Sequence, residues 1–248
     1  MPHTQPNYVH NATWDAGPKV ESREITIIEF FRFFYELVSI PFQYWTMAGS
    51  HTRRGEQIMG EADQLLKKKL ILPYQYYGVD REEEIIKCNR EVHPELNWIH
   101  DDFYEAIRKA ILAGTFNPSI INYDGVIQPK YSSQYLKRLL TLLDYNISNE
   151  VMLVTNFVLT NPYSRSKKLN FSIDTAINEL NKIYTIPDHW HVYKKSYQYT
   201  HSQADMGILI FLKEFHNIHK FTFTQNREIG LMDDYVKKEE IHNRKKTI

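Results

Sequence analysis

Tyr74–Phe103 (YQYYGVDREEEIIKCNREVHPELNWIHDDF) constrains this chain more than any other stretch. Tyr74–Val79 follows Pro73 and is aromatic and β-branched, which predicts a buried strand, and Asp80 ends it. Glu82–Val92 predicts a helix with Ile85, Ile86, Asn89 and Val92 along one face. Pro94 stops that helix, and Leu96–His100 begins a second apolar run that ends on Asp101-Asp102-Phe103. The pattern is a βαβ unit with a carboxylate at the carboxyl end of each strand, where open α/β sheets bind nucleosides. Asp80 is placed to accept both ribose hydroxyls, and Asp102 to accept the exocyclic amine of an adenine. The competing reading is local: Asp80 and Asp101-Asp102 cap the helices that follow them.

Bulk properties narrow the field. With 248 residues the chain has room for one large α/β domain and an appendage. Lys plus Arg equals Asp plus Glu at 30 each, which gives no whole-protein charge for binding a polyanion. Cys88 is the only cysteine, so intramolecular disulfides and multi-cysteine metal sites are excluded. It reads as a small core residue in a reducing, cytoplasmic setting. No apolar run approaches the roughly 20 residues needed to cross a bilayer, and the N-terminus has no signal pattern, so a membrane partner is not expected.

In chain order, residues 1–22 read as a polar arm and Glu24–Ser39 as a mostly buried helix with one polar stripe of Glu29, Arg32 and Glu36. Phe42–Ala48 is strand-like and runs into Gly49, Ser50 and Gly55, with Glu56 opening a helix that Lys67-Lys68-Lys69 closes. After Phe103 a short helix, Tyr104–Ala113, ends at Gly114. Pro118–Gly125 then reads as a strand delivering Tyr123 and Asp124 to the same sheet edge, or as a strand closed by an Asp-Gly turn. A helix over Tyr131–Leu143 and a continuously apolar strand over Val151–Leu159 follow, the latter typical of a strand covered on both faces. Phe171–Tyr184 forms the next helix. His191–Tyr199 and Met206–Phe215 predict an antiparallel hairpin, and residues 217–248 a polar extension. The eleven histidines are scattered without metal-ligand spacing.

Gly78-Val79-Asp80 before a helix, followed by Trp98-Ile99-His100-Asp101-Asp102-Phe103, resembles the second and third motifs of class I S-adenosylmethionine-dependent methyltransferases. The closing helix and hairpin resemble that family's ending too, so the resemblance spans residues 41–216, with a helical extension over 1–40 before it and 217–248 after it. It implies a three-layer Rossmann-like α/β fold of about seven strands, ordered three-two-one-four-five-seven-six. It also implies that Asp80, beside Arg81, holds the cofactor's ribose, and that Asp101, Asp102 and Phe103 surround its adenine. Gly49, Ser50, Gly55 and Glu56 would line the methionine end, Glu56 being alternatively a first-turn helix acid. Asp124 would orient an acceptor or act as a base, with Tyr123 beside it. Asn161-Pro162-Tyr163 is similar to the loop with which amino-methyltransferases hold a target amine, though Asn-Pro is first of all a routine turn opener.

The chain departs from the family around its first loop, where the glycine pattern is incomplete, the first strand carries no acid just before it and Gly49 is far from Asp80, and again at Asn161-Pro162-Tyr163, which lacks one proline and follows the fifth strand instead of the fourth. Methyl transfer from S-adenosylmethionine is therefore the first reading. A catalytically inactive module that binds or regulates on the same frame is the second. A different nucleotide-dependent Rossmann enzyme is a third, which the terminal hairpin opposes. The methyl acceptor is open between small molecule, protein and nucleic acid.

Overall fold

A computed structural model describes residues 43–49, 52–53, 56–57, 60–117, 119–127, 129–146, 151–159, 172–198 and 205–213. The expected N-terminal helix, Ser50, Gly55, Asn161, Tyr163 and the polar C-terminal extension lie outside the described residues. The chain divides into two compact units, Met1–Tyr123 and Asp124–Ile248.

In the first unit β1 (Gln43–Met47) pairs in parallel with β4 (Tyr76–Asp80), with Met47 opposite Val79. β4 pairs in parallel with β5 (Asn97–His100). The strand begins two residues later than the sequence suggests, because Pro73–Gln75 forms a turn of 3-10 helix. Proline at the first position of that turn has its ring-fixed φ already suited to helix and no N–H to leave unpaired. α2 (Glu83–Val92) follows β4, and Ile86 and Asn89 lie buried on the face the apolar spacing marked. Cys88, expected in the core, is half-buried. α3 (Phe103–Leu112) follows β5 and ends at Gly114, whose φ of 66° is the left-handed conformation that closes helices.

The segment after β1 differs from expectation. Glu56 opens no helix: β2 (Thr52–Arg53) and β3 (Glu56–Gln57) pair as a small antiparallel hairpin, with Arg53 opposite Glu56. The helix, α1, runs Glu61–Lys67 with Gly60 as its N-cap. The sequence holds two Gly-Glu pairs five residues apart, at 55–56 and 60–61. Only the second places Ala62 and Leu65 where both are buried, so the apolar spacing behind it decides the start.

β6 (Ser119–Ile127) pairs with β1 in parallel through Gln43↔Ser119 to Thr46↔Asn122. It runs through Asp124-Gly125 instead of turning there. In the second unit, α4 (Pro129–Asn146) leads into β7 (Val151–Val158), and α5 (Ile173–Asn181) is N-capped by Ser172. β8 (Trp190–Gln198) and β9 (Asp205–Lys213) pair antiparallel, and β9 inserts beside β7, also antiparallel. The full order is β5-β4-β1-β6-β7-β9-β8, a seven-stranded sheet. Numbered by the strands of this sheet alone, that is the expected three-two-one-four-five-seven-six.

Candidate functional site

Parallel strands point their carboxyl ends one way, so β1, β4 and β5 bring Gly49, Asp80 and Asp101-Asp102 to one edge of the first unit. The pairing continues past the strands: Ala48 N donates to Val79 O at 2.8 Å and Asp101 N to Asp80 O at 3.0 Å. Asn89, fully buried on α2, donates from Nδ2 to Gly49 O at 2.9 Å and so ties the loop after β1 to the helix after β4. A polar residue in an apolar helix stripe is here a fastener for the glycine loop. A buried amide without such a partner would cost about 1–3 kcal/mol.

Asp80 is the last residue of β4 and half-buried. Its Oδ1 accepts from Glu82 N at 2.9 Å, a local bond across the turn into α2. Glu82, not Asp80, is the N-cap residue of that helix. Burial raises the carboxyl pKa of Asp80, with the nearby Glu82 charge adding to the rise, while backbone donors and Arg81 pull the other way. Among the described residues no cation forms an ion pair with it. An acid held in a partly desolvated spot without an ion pair is stabilised in its charged form by a donor that arrives.

Asp101 and Asp102 are more fully engaged. Asp102 caps α3, its Oδ1 accepting from Tyr104 N at 3.0 Å and Glu105 N at 3.2 Å, and its Oδ2 pairs with the Arg81 guanidinium. Asp101 accepts from Asp102 N at 2.9 Å and from Lys109 Nζ at 2.5 Å. The capping role and the expected adenine contact thus fall on the same side chain. Arg81 projects into solvent as it reaches Asp102. Phe103 is buried and stacks on Tyr123, ring centroids 6.2 Å apart.

A second cluster was not foreseen from the sequence. Tyr44, fully buried in β1, donates its hydroxyl to Glu61 Oε1 at 2.6 Å. Asn122 of β6, only 2% exposed, donates from Nδ2 to Glu61 Oε2 at 3.0 Å. Burial, and then the Glu61 charge, push the Tyr44 phenol well above its ordinary pKa, so it remains a donor. Asn122 Oδ1 is buried with no hydrogen-bond partner among the described residues. The one available signal was the second Gly-Glu pair, since neither Tyr44 nor Asn122 stands near Glu61 in sequence.

Asp124 is half-buried in β6 and opens the second unit. For Glu56 only the backbone pairing in β3 is described. Among the described residues there is no group of three or more metal-ligating side chains, and no helix long and apolar enough to cross a membrane.

No family model matches the sequence, and neither does any curated protein. Solved structures do resemble it. Protein LPL1258 from Legionella pneumophila is 9% identical, with a TM-score of 0.51 over 84% of this chain and 87% of its own. The plantazolicin methyltransferase BamL, solved with a triazolic desmethylPZN analog and SAH, is 8% identical, with a TM-score of 0.50 over 84% of this chain and 95% of its own. At such identities the likeness establishes the fold.

Proposed function

We propose that this chain, whose fold is that of the Rossmann-like methyltransferases, is an S-adenosylmethionine-dependent methyltransferase. The observation that carries the reading is Asp80: a partly desolvated carboxylate without an ion pair, at the carboxyl end of the strand beside β1. Such a group suits a vicinal diol, which offers it two O–H donors and no competing charge. The orphaned Asn122 Oδ1 is a second polar atom on this unit that a bound ligand would satisfy. The residues present therefore fit the cofactor.

When bound, S-adenosylmethionine supplies a methyl group on a sulfonium, and the chemistry is the cofactor's own. The chain's residues bind, align and exclude water. Asp80 holds the ribose hydroxyls, with Arg81 beside it. Asp101, Asp102 and Phe103 border the adenine, where Asp102 keeps acceptor capacity because a carboxylate offers about four lone-pair sites. Gly49, fixed by Asn89, sets the start of the loop that lines the methionine end, with Ser50, Gly55 and Glu56 following it. Asp124 orients the acceptor or takes its proton, with Tyr123, Asn161 and Tyr163 contributing to acceptor binding. The acceptor is a small molecule, a protein or a nucleic acid. We assign the protein to the cytoplasm, in keeping with a single cysteine.

Calorimetry with S-adenosylmethionine, S-adenosylhomocysteine and NAD tests this. The first two should bind and NAD should not, whereas NAD binding alone would replace the reading with a dehydrogenase-type one. One observation favours a second reading, a binding module without turnover: the β2–β3 hairpin occupies part of the loop where the resembling family is glycine-rich. Cofactor binding with no transfer of labelled methyl to any cellular fraction would support that version.

A further inference from the structure

A cleft of about 540 Å³ opens against β5, away from the edge that carries Asp80. Its lining includes Tyr77 of β4, Arg90 of α2 and Leu96, Asn97 and Ile99 at β5. Small-molecule sites commonly have this volume. Tyr77 is the second residue of β4 and Asp80 its last, so the cleft stands about 10 Å back along the strand from Asp80.

Strand register explains why a flat ligand suits this place. Trp45, Tyr77 and Asn97 are cross-strand neighbours in one row, on β1, β4 and β5. Trp45 and Tyr77 stack, with centroids 4.5 Å apart and planes 9° from parallel. The row then ends at the edge strand on a short amide instead of a third ring. A stack that stops one strand early leaves room beside Tyr77, itself only half-buried, for a ring supplied by a ligand.

The polar groups of the cleft narrow the chemistry further. Asn97 donates from Nδ2 to Tyr74 O at 3.1 Å and to Tyr76 O at 2.9 Å. Both hydrogens are thereby used, the amide is fixed in orientation, and Oδ1 remains to accept. Arg90 is exposed, and its Nη2 donates to Trp98 O at 2.9 Å. That bond tethers the guanidinium at the cleft while the rest of its donor fork remains for a ligand. Of the described residues lining the cleft, Arg90 alone is charged, so the charge it suits is negative.

We propose that this cleft is a second small-molecule site and takes a planar aromatic anion. The ring stacks on Tyr77, a ring N–H donates to Asn97 Oδ1, and a carboxylate pairs with Arg90. The assignment draws on no residue given to the cofactor, so it stands apart from the methyltransferase reading.

The test is a ligand-observed NMR titration of the full chain with two probes. Indole-2-carboxylate carries ring, N–H and carboxylate together, and indole-2-carboxamide is its neutral counterpart. Wild type should bind the acid with a dissociation constant of about 1 mM or below, as the size of the ligand allows. The amide should bind about 5–20-fold more weakly, for want of one charge-assisted pair at an exposed cation. Arg90→Gln should weaken the acid by the same factor and leave the amide within about twofold. Saturating S-adenosylhomocysteine should not displace the acid. If the variant does not fold by circular dichroism, the wild-type comparison of acid with amide carries the test. No binding of the acid, equal affinity for acid and amide, equal losses for both probes in Arg90→Gln, or displacement by S-adenosylhomocysteine would each overturn the site.

Discussion

β1 of the first unit and β7 of the second are both buried, yet they are built from different chemistry. β1 buries Gln43, Tyr44, Trp45 and Thr46, and nearly every side chain has a named partner. Gln43 donates to Thr115 O at 2.7 Å and accepts from Trp45 Nε1 at 3.0 Å, while Trp45 stacks on Tyr77 with centroids 4.5 Å apart. β7 buries Val151, Met152, Leu153 and Val154 against a β9 that offers Ile208–Leu212, a run needing only area and volume. The apolar strands tolerate change that conserves volume, because dispersion and hydrophobic contacts are non-directional. The polar and aromatic strands do not, because each hydrogen bond has one geometry. The directional bonds of the first unit hold Asn89 against Gly49 O and Glu61 against Tyr44 and Asn122.

Two glycines sharpen that contrast most. A Cβ at Gly78 of β4 would lie 2.3 Å from Cζ3 of Trp98, whose indole N–H is held by His93 O at 2.8 Å. The ring is rigid and anchored, so Gly78→Ala should cost about 3 kcal/mol or more, read as a lower denaturation midpoint. At Gly207 of β9 a Cβ would meet the terminal Cδ1 of Ile173 at 2.4 Å, a flexible end that rotates aside. Gly207→Ala should cost about 1 kcal/mol or less in the same measurement. Equal costs would erase the distinction between a directional and an adaptable half.

Asp80→Ala should weaken cofactor binding by about 1.5–3 kcal/mol in a protein that stays folded. Stability should move the opposite way in Asp80→Asn. The folded-state pKa of Asp80 is raised, so its protonated form is the one that folding favours. That advantage is complete below the unfolded carboxylate pKa and is lost as pH rises through the folded one. At pH 7 the asparagine variant should therefore melt above wild type, and the gap should close as pH falls below about 4. A variant melting lower at pH 7 would mean that the Glu82 bond, not ligand binding, is what Asp80 serves.

The smallest effect is expected in β7. Thr155 is fully buried and its Oγ1 has no partner among the described residues. Thr155→Val removes an unmet hydroxyl at nearly constant shape, and should stabilise by about 0.5–2 kcal/mol. Destabilisation would show that this strand, too, depends on a directional contact.

The legible parts of this protein are those whose signal is local. Strand, helix and hairpin follow from periodicity, which is a property of neighbouring residues: Asp80 closing β4, Ile86 and Asn89 on the inner face of α2, β8 pairing with β9. The order of the sheet was implied by the resemblance of these elements to the methyltransferase family, and the strand pairings bear it out. What tertiary structure alone decided lies in bonds between distant residues. Gly60 and Glu61 won over Gly55 and Glu56 because burial of Ala62 and Leu65 selects the start of α1, which no capping rule could rank. Glu61 accepts from Tyr44 and Asn122, 17 and 61 residues away, and no spacing in the sequence records such a meeting. Asp102, whose capping role the sequence had offered, gained its Arg81 partner only in the folded chain. Local pattern specifies which elements form, whereas the alignment of a side chain for chemistry is fixed only once the strands carrying its partners have packed.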